Sequence, residues 1–518
     1  MLMKRFIIVI ISILAASTLS AQNIAEYHNS EVEATKEYQA GNAYQQDLLL
    51  YADMLATTHP YYADAKHRKE LSREVRKSYK ECATLSDVAS FKLLLARLAA
   101  KLGDGHTAIS YWSNMEMIFP VRMAINGDKS AIIDVTSQEH RALLGKSVTH
   151  IGGRSLKDIL AQARKIVSAD NDINFENLVK DYLMFTEFWS FLDMSQEQLT
   201  LTLADGTTVD IEPIQRNTLR IAQLQSDTSN RTMAKRNVLF DYSIFDEEGI
   251  CYLQFNQFAD RVTLPQYKQL ARFDTFIEEM MAEIETKGVK TLVVDLQYNG
   301  GGNSMLGDVL LSWLYPIEEL KRYGVDVRTS ELLYSTYPYY REFTYDGKPL
   351  ELGRVYDMWR FDHNRVNDAD TESQQDSTRH ILNHDAERIF RGDVIFVEGK
   401  ESFSSATLLL TLARDNGIGI IVGEPSGGKP SHYGDILYCM LPNTKTIATV
   451  SHKHFVRPDR EARSSDYIAP DVAIELRNAE RDMLWEWVVR NYGKQRKADA
   501  KSEDDSYLWD TIYRPAMN

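Results

Sequence analysis

Apolar positions along this chain change their period twice. From Tyr44 to about Leu102 they recur every three or four residues, and the clearest case, opened by Ser86 as a cap, sets Phe91, Leu94, Leu95, Leu98 and Leu102 on one helical face. From Phe119 to about Ile214 alternation takes over. VRMAIN and SAIIDV predict a hairpin about Gly127 and Asp128, Lys146 to Ile151 a further strand, and QLTLTL with TVDIEPI a pair joined through Asp205 and Gly206, with a helical insertion at roughly Ser155 to Leu192. From about Val238 short wholly apolar runs alternate with helix-length stretches: YLQF, a helix from about Leu264 to Lys287, TLVVDL, a glycine turn, and a helix through Trp313. That is the layout of an α/β layer.

The layer is interrupted from about Tyr315 to Arg391 by a stretch rich in tyrosine and charge, long enough to serve as a lid or a substrate wall. It resumes with the apolar run Val394 to Val397, a polar turn carrying Ser402, Ser404 and Ser405, a helix from about Ala406 to Arg414, a strand from Ile418 to Val422, the glycine-rich GEPSGGK, and the strands DILYCML, TIATVSH and YIAPDVAIEL. The organisation predicted is a leader at 1–21, a helical domain at 22–113, a small β domain with a helical insertion at 114–215, a linker at 216–237, an α/β core at 238–488 with an insertion at 315–391, and a charged tail at 489–518. The fold class is mixed α/β and α+β in several domains, as 518 residues exceed one ordinary core.

The formal charge of -15 argues against a nucleic-acid partner, which wants a basic face. Three cysteines, Cys82, Cys251 and Cys439, lie far apart without metal-ligand spacing, and their odd number leaves any disulfide set incomplete. No metal and no cofactor is expected. Met1 to Ala21 has a basic start, an apolar run from Phe6 to Ala16 and a small-residue end, which is a secretory signal in layout; its apolar core is shorter than the roughly 20 residues a spanning helix needs. No cysteine stands near Ala21 for a lipid anchor. The expected mature protein is exported, periplasmic or secreted, with no stable membrane insertion.

Candidate chemistry gathers around Ser404. A serine between a buried strand and a helix sits at the carboxyl edge of a sheet, beside the free N–H groups of the first helical turn. Lys429, on the glycine-rich turn, can return to the same edge as a base. The run Asp295 to Asn303, DLQYNGGGN, offers Gly300 and Gly301, whose amides, with that of Ser405, would form an oxyanion pocket. The plain alternatives are a glycine turn and helix-capping serines. GEPSGGKPS nearly spells a phosphate-binding loop, but Pro430 stands where a hydroxyl should bind magnesium, and strand follows where helix should.

DLQYNGG, SFSSA, the helix ending in RDNG, GEPSGGK and APDVAIE, taken in that order, resemble the tail-specific or C-terminal processing family of serine peptidases over about Val238 to Glu475, and the upstream GDGHT also resembles a family feature. The resemblance implies a core like those of ClpP and crotonase, an altered PDZ-like domain at Phe119 to Ile214, and a protein or peptide substrate. It implies Ser404 as nucleophile with Lys429 as base, 25 residues later as in the family pattern, and Asp415 as a supporting acid. In tricorn-core-like relatives the base is an upstream histidine, which makes His106 the rival, with Asp459, Glu461 or Asp466 to orient it. Two further readings are carried: a non-catalytic peptide- or lipid-binding protein on the same scaffold, and an esterase or amidase for small substrates.

Overall fold

The computed structural model describes residues 24–110, 117–136, 138–216, 225–226, 233–362, 380–476 and 481–494. The leader expected at Met1 to Ala21 and nearly all of the charged tail lie outside these residues.

After two short helices at Ser30–Glu33 and Lys36–Ala40 come three longer ones, α1 (Ala43–Thr58), α2 (Ala65–Cys82) and α3 (Val88–Ala100). Asn42 starts α1 with a capping box shared with Gln45, and Asp87 rather than Ser86 caps α3, its carboxylate accepting from Ser90 N–H. The next unit pairs β1 (Val121–Asn126) with β2 (Lys129–Val135) in a hairpin closed at Asn126 and Lys129. It continues through β3 (Val148–Ile151), α4 (Leu156–Ala163), α5 (Asp172–Tyr182), β4 (Leu199–Leu203) and β5 (Thr208–Ile211), with β3 and β5 flanking β4 in a second antiparallel sheet.

The core is a six-stranded sheet. In chain order its elements are β6 (Phe240–Phe245), β7 (Ile250–Phe255), α6 (Phe273–Lys287), β8 (Thr291–Asp295) and α7 (Met305–Ser312), then, beyond the insertion's β9 (Gly324–Arg328) and β10 (Val355–Asp357), β11 (Asp393–Glu398), α8 (Ser405–Asn416) and β12 (Ile420–Gly423). Two long strands, β13 (His432–Met440) and β14 (Ile447–Val456), precede the closing β15 (Val472–Ala473) and α9 (Met483–Tyr492). The sheet order is β6-β7-β8-β11-β12-β15, parallel throughout except for β6. Its middle strands read as unbroken apolar runs because both faces are covered: α6, α7 and α8 pack over Leu292, Val294 and Phe396, while α9 packs over Val293, Ile395 and Val397.

One expectation is corrected here. The helix predicted from Leu264 begins only at Phe273, because Pro265 interrupts the run and the buried Asp260 carboxylate instead gathers the N–H groups of Val262, Thr263 and Phe273 into a loop. The insertion carries strands of its own. Its β9 and β10 join β14 and β13 in a four-stranded antiparallel sheet ordered β10-β9-β14-β13, so residues from both sides of the serine turn build one wall. The helical unit seats on that wall: α1 lies against β14, and Met54 meets the Cys439 thiol at 2.9 Å. All three cysteines are free and buried.

In register, Asp295 of β8 stands beside Val397 of β11, so the loops leaving these two carboxyl ends emerge side by side. Ligands gather at this edge of a parallel sheet, where helix N-termini and loop amides converge.

Candidate active site

The glycine loop and the serine turn are stitched together. Phe403 N–H donates to Asn299 O at 3.0 Å, and the buried Ser402 hydroxyl donates to Leu296 O at 2.8 Å while accepting Gly399 N–H. Ser402 is therefore a brace. Ser404, next but one, has φ 54° and ψ -122°, a conformation that costs an L-residue free energy and persists only where surroundings enforce it. It stands at the N-cap of α8, yet its side chain makes no capping hydrogen bond. The hydroxyl is left for other work.

Ser405 differs: its hydroxyl donates to Gly302 O at 2.7 Å. Gly301, at φ 103°, lies so close that a Cβ there would stand 2.7 Å from Ser404 Cβ and 3.0 Å from Ser405 N. Its own N–H is turned inward to Asn299 Oδ1 at 2.8 Å. This corrects its expected use as an oxyanion donor: Gly301 supplies room, not a hydrogen bond. The N–H groups of Gly300 and Ser405 have no hydrogen-bond partner among the described residues.

His106 reaches this edge from the far end of the helical unit. Its backbone N–H donates to Asp104 Oδ1 at 2.9 Å in a tight turn, and its carbonyl accepts from the Thr449 hydroxyl on β14. The ring lies between Phe403, 4.6 Å away, and His432, 5.5 Å away, stacked on both. It thus rests on the residue immediately before Ser404. Nδ1 is 3.5 Å from Asp104 Oδ1, an ion-pair separation longer than a hydrogen bond, and neither ring nitrogen of this buried side chain has a hydrogen-bond partner. Burial alone would depress the imidazole, but the facing carboxylates of Asp104, Asp170 and Asp435 raise it above its ordinary 6.5.

The carboxylates differ in state. Burial works against ionisation of Asp104, yet the facing His106 and His59, the latter donating Nε2–H at 3.0 Å, hold it well below the usual range, and the Ser451 hydroxyl at 2.7 Å shares Oδ2 with His59. Burial, reinforced by the like charge of Asp104, pushes Asp170 up to about 6 against the pull of His106. His432 donates Nδ1–H to Lys429 O at 2.8 Å and is pushed down to about 3, first by burial and then by His106, so it stays neutral. Asp104, His106 and Asp170 bring one ligand-type atom each within 4.8 Å of one another, as a metal centre would require. With Asp104 already accepting from His59, Ser451 and the His106 amide, the set reads as a histidine held between carboxylates.

Lys429 and Asp415 stand otherwise than expected. The Lys429 side chain is about a third exposed, and its Nζ pairs at 3.4 Å with Asp466, itself 69 % exposed. Asp415 lies eleven residues along α8 from Ser404, about 16 Å at 1.5 Å per residue. There it forms a buried ion pair with Arg457, at 2.6 to 3.0 Å, and accepts Asp459 N–H, so it secures the helix end to a distant loop. Asp459 accepts Glu461 N–H within that loop, and Asp466 faces Lys429; the carboxylates beside His106 are Asp104 and Asp170. Asp104 was signalled by its place two residues before His106, whereas nothing in the sequence pointed to Asp170, His59 or His432.

A strained serine at a helix start, against a glycine loop, on a parallel sheet, is an arrangement a serine-type hydrolase site would use. Residues 249–474, the core of this chain, match the family model "Peptidase family S41". Among solved structures the chain is similar to mature CPAF (TM-score 0.57, 13% identity, 86% of this chain and 96% of that one) and to mature CPAF complexed with lactacystin (TM-score 0.56, 14% identity, 86% and 95%). At these identities the likeness concerns the fold. No curated protein matches the chain in sequence.

Proposed function

We propose that the protein is an exported serine endopeptidase in which Ser404 attacks a peptide carbonyl and His106, not Lys429, takes the serine proton. The observation that carries this is the His106 ring, stacked on Phe403 with both nitrogens buried and unpartnered and carboxylates beside it, while the partly exposed Lys429 ammonium pairs with Asp466. Ser404 Oγ forms the bond to the carbonyl carbon as its proton passes to His106. The oxyanion meets the Ser405 N–H at the start of α8, with the Gly300 N–H as the loop's contribution. The imidazolium then gives its proton to the leaving amine, and water, deprotonated by the same ring, releases the acyl group and restores Ser404.

A protein or peptide substrate fits the architecture beside the site. Strand β13 begins at His432, against His106, and ends its sheet; among the described residues its outer edge pairs with Ala25 and Tyr27 only at Met440. An extended segment can add to the remainder of that edge. Export rests on the Met1 to Ala21 pattern, and no helix among the described residues is long and apolar enough to cross a membrane. The test is mass spectrometry after a fluorophosphonate probe, together with cleavage of an unfolded protein. A label on Ser404 with cleavage supports the reading. A label with turnover of short esters alone makes the protein an esterase, and no label leaves a binding scaffold.

A further inference from the structure

The second unit reaches into this site through one short segment. Between α4 and α5, Ser168 donates its hydroxyl to Asp104 O at 2.7 Å, and Asp170 accepts Gly105 N–H on Oδ1 at 2.6 Å and faces Lys429 N–H with Oδ2 at 3.4 Å. Asn171, the cap of α5, donates to Asp466 O at 2.6 Å, and Asn174 Oδ1 accepts Asp170 N–H. The histidine turn, the Lys429 turn and the loop at Asp466 are thus all tied to 168–174. The fit is tight: a Cβ on Gly105 would meet Asn174 Oδ1 at 2.7 Å and Asp170 Oδ1 at 3.1 Å.

Of the two carboxylates facing His106, Asp104 is the less free to serve it. Its Oδ1 holds the His106 amide and its Oδ2 takes two short donors, His59 and Ser451. Asp170 accepts from one amide at close range and one at long range, and brings a carboxylate oxygen within 4.8 Å of a ring nitrogen. We infer that Asp170 is the positioning residue of His106, an orienting carboxylate delivered to the peptidase core by the second domain's helical insertion. It acts through the ring: it fixes the height of the Gly105–His106 turn and stabilises the imidazolium formed when Ser404 gives up its proton. The base is then competent only while 168–174 is seated.

This rests on His106 being the base. The groups facing His106 are Asp104 on its own turn, Asp170 from the second unit, and Asp435 and His432 from β13; His59 acts on Asp104 from the end of α1. Of these, Asp170→Asn removes one negative charge at nearly constant shape. A carboxylate raises the pKa of a facing imidazole, so its loss lowers that pKa, and the acidic limb of kcat moves to lower pH.

The experiment is kcat and KM against pH for the full-length mature protein with an unfolded protein substrate, in the parent, Asp170→Asn, Asp170→Glu and His106→Ala. The expected result for Asp170→Asn is kcat down at least tenfold, KM within about threefold, and an acidic limb shifted down in pH, with Asp170→Glu restoring part of kcat and the original limb. An unmoved limb, or equal kcat loss in the Asn and Glu variants, overturns the inference and makes Asp170 a fold brace. Should His106→Ala keep parental kcat, the underlying base assignment fails instead. If Asp170→Asn does not fold, Asn171→Ala and Asn174→Ala, which loosen the same segment, must lower kcat with KM held; unchanged kcat in both overturns the inference.

Discussion

Gly301 stands against Ser404 at a distance that leaves no place for a Cβ, which would lie 2.7 Å from the serine's own. With φ at 103° the position is also strained for any L-residue with a side chain. Gly301→Ala must therefore push the serine turn away from the glycine loop. The expected outcome is a folded protein whose fluorophosphonate labelling at Ser404 falls by at least a hundredfold, read by rate of label uptake alongside circular dichroism.

Asp415 and Arg457 make the buried pair that a supporting acid was expected to make at the site. Removing one partner strands the other charge, and such losses run to about 3–5 kcal/mol. Asp415→Ala should lower stability by roughly that amount in denaturant unfolding, while kcat per folded molecule stays within about threefold of the parent. A kcat loss without a stability loss would return Asp415 to the chemistry.

The pH dependence has a definite sign. The base works neutral, and its pKa is held above 6.5 by the carboxylates around it. Activity should therefore rise with pH through a midpoint above 6.5. Stability behaves in the reverse sense: a group whose pKa is raised on folding favours the native state below its unfolded pKa, and that contribution fades as pH rises through the folded one. Asp104 opposes it, being depressed on folding, and its contribution is lost as pH falls. Asp104→Asn should move the activity midpoint down and flatten the acid loss of stability, measured by pH-rate profiles and thermal unfolding.

His432 is the neutral ring on which His106 stacks, with Nδ1–H on Lys429 O and Nε2 buried without a partner. Replacing it by phenylalanine keeps the stack and removes the hydrogen bond. His432→Phe should retain most of kcat and lose about 1 kcal/mol of stability, the usual scale for one hydrogen bond. A loss of kcat above tenfold would give the ring a role in proton transfer.

Local signals carried much of this architecture. Unbroken apolar strands, the serine turn and the glycine loop announced a parallel layer and the edge where its loops meet, because both faces of β8 and β11 are buried and their residues say so directly. The base was harder. Ser404 and Lys429 share a stretch of sequence, but His106 is brought in by the packing of the Thr107–Ser110 segment on β14, a long-range contact with no periodicity to betray it. Asp415 misled because its distance along α8 only becomes decisive once the helix is known to run unbroken to Asn416. Asp170 was invisible for a related reason: a single carboxylate in a polar turn acquires meaning only from the two amides it meets, one 65 residues before it and the other 259 after it.

The most direct measurement is the second-order rate of fluorophosphonate capture at Ser404, by mass spectrometry, in His106→Ala and Lys429→Ala across pH. With the histidine as base, His106→Ala should lose about 10²–10⁴-fold and its pH limb, while Lys429→Ala stays within about threefold of the parent. The contradicting result is the reverse: capture abolished in Lys429→Ala and unimpaired in His106→Ala.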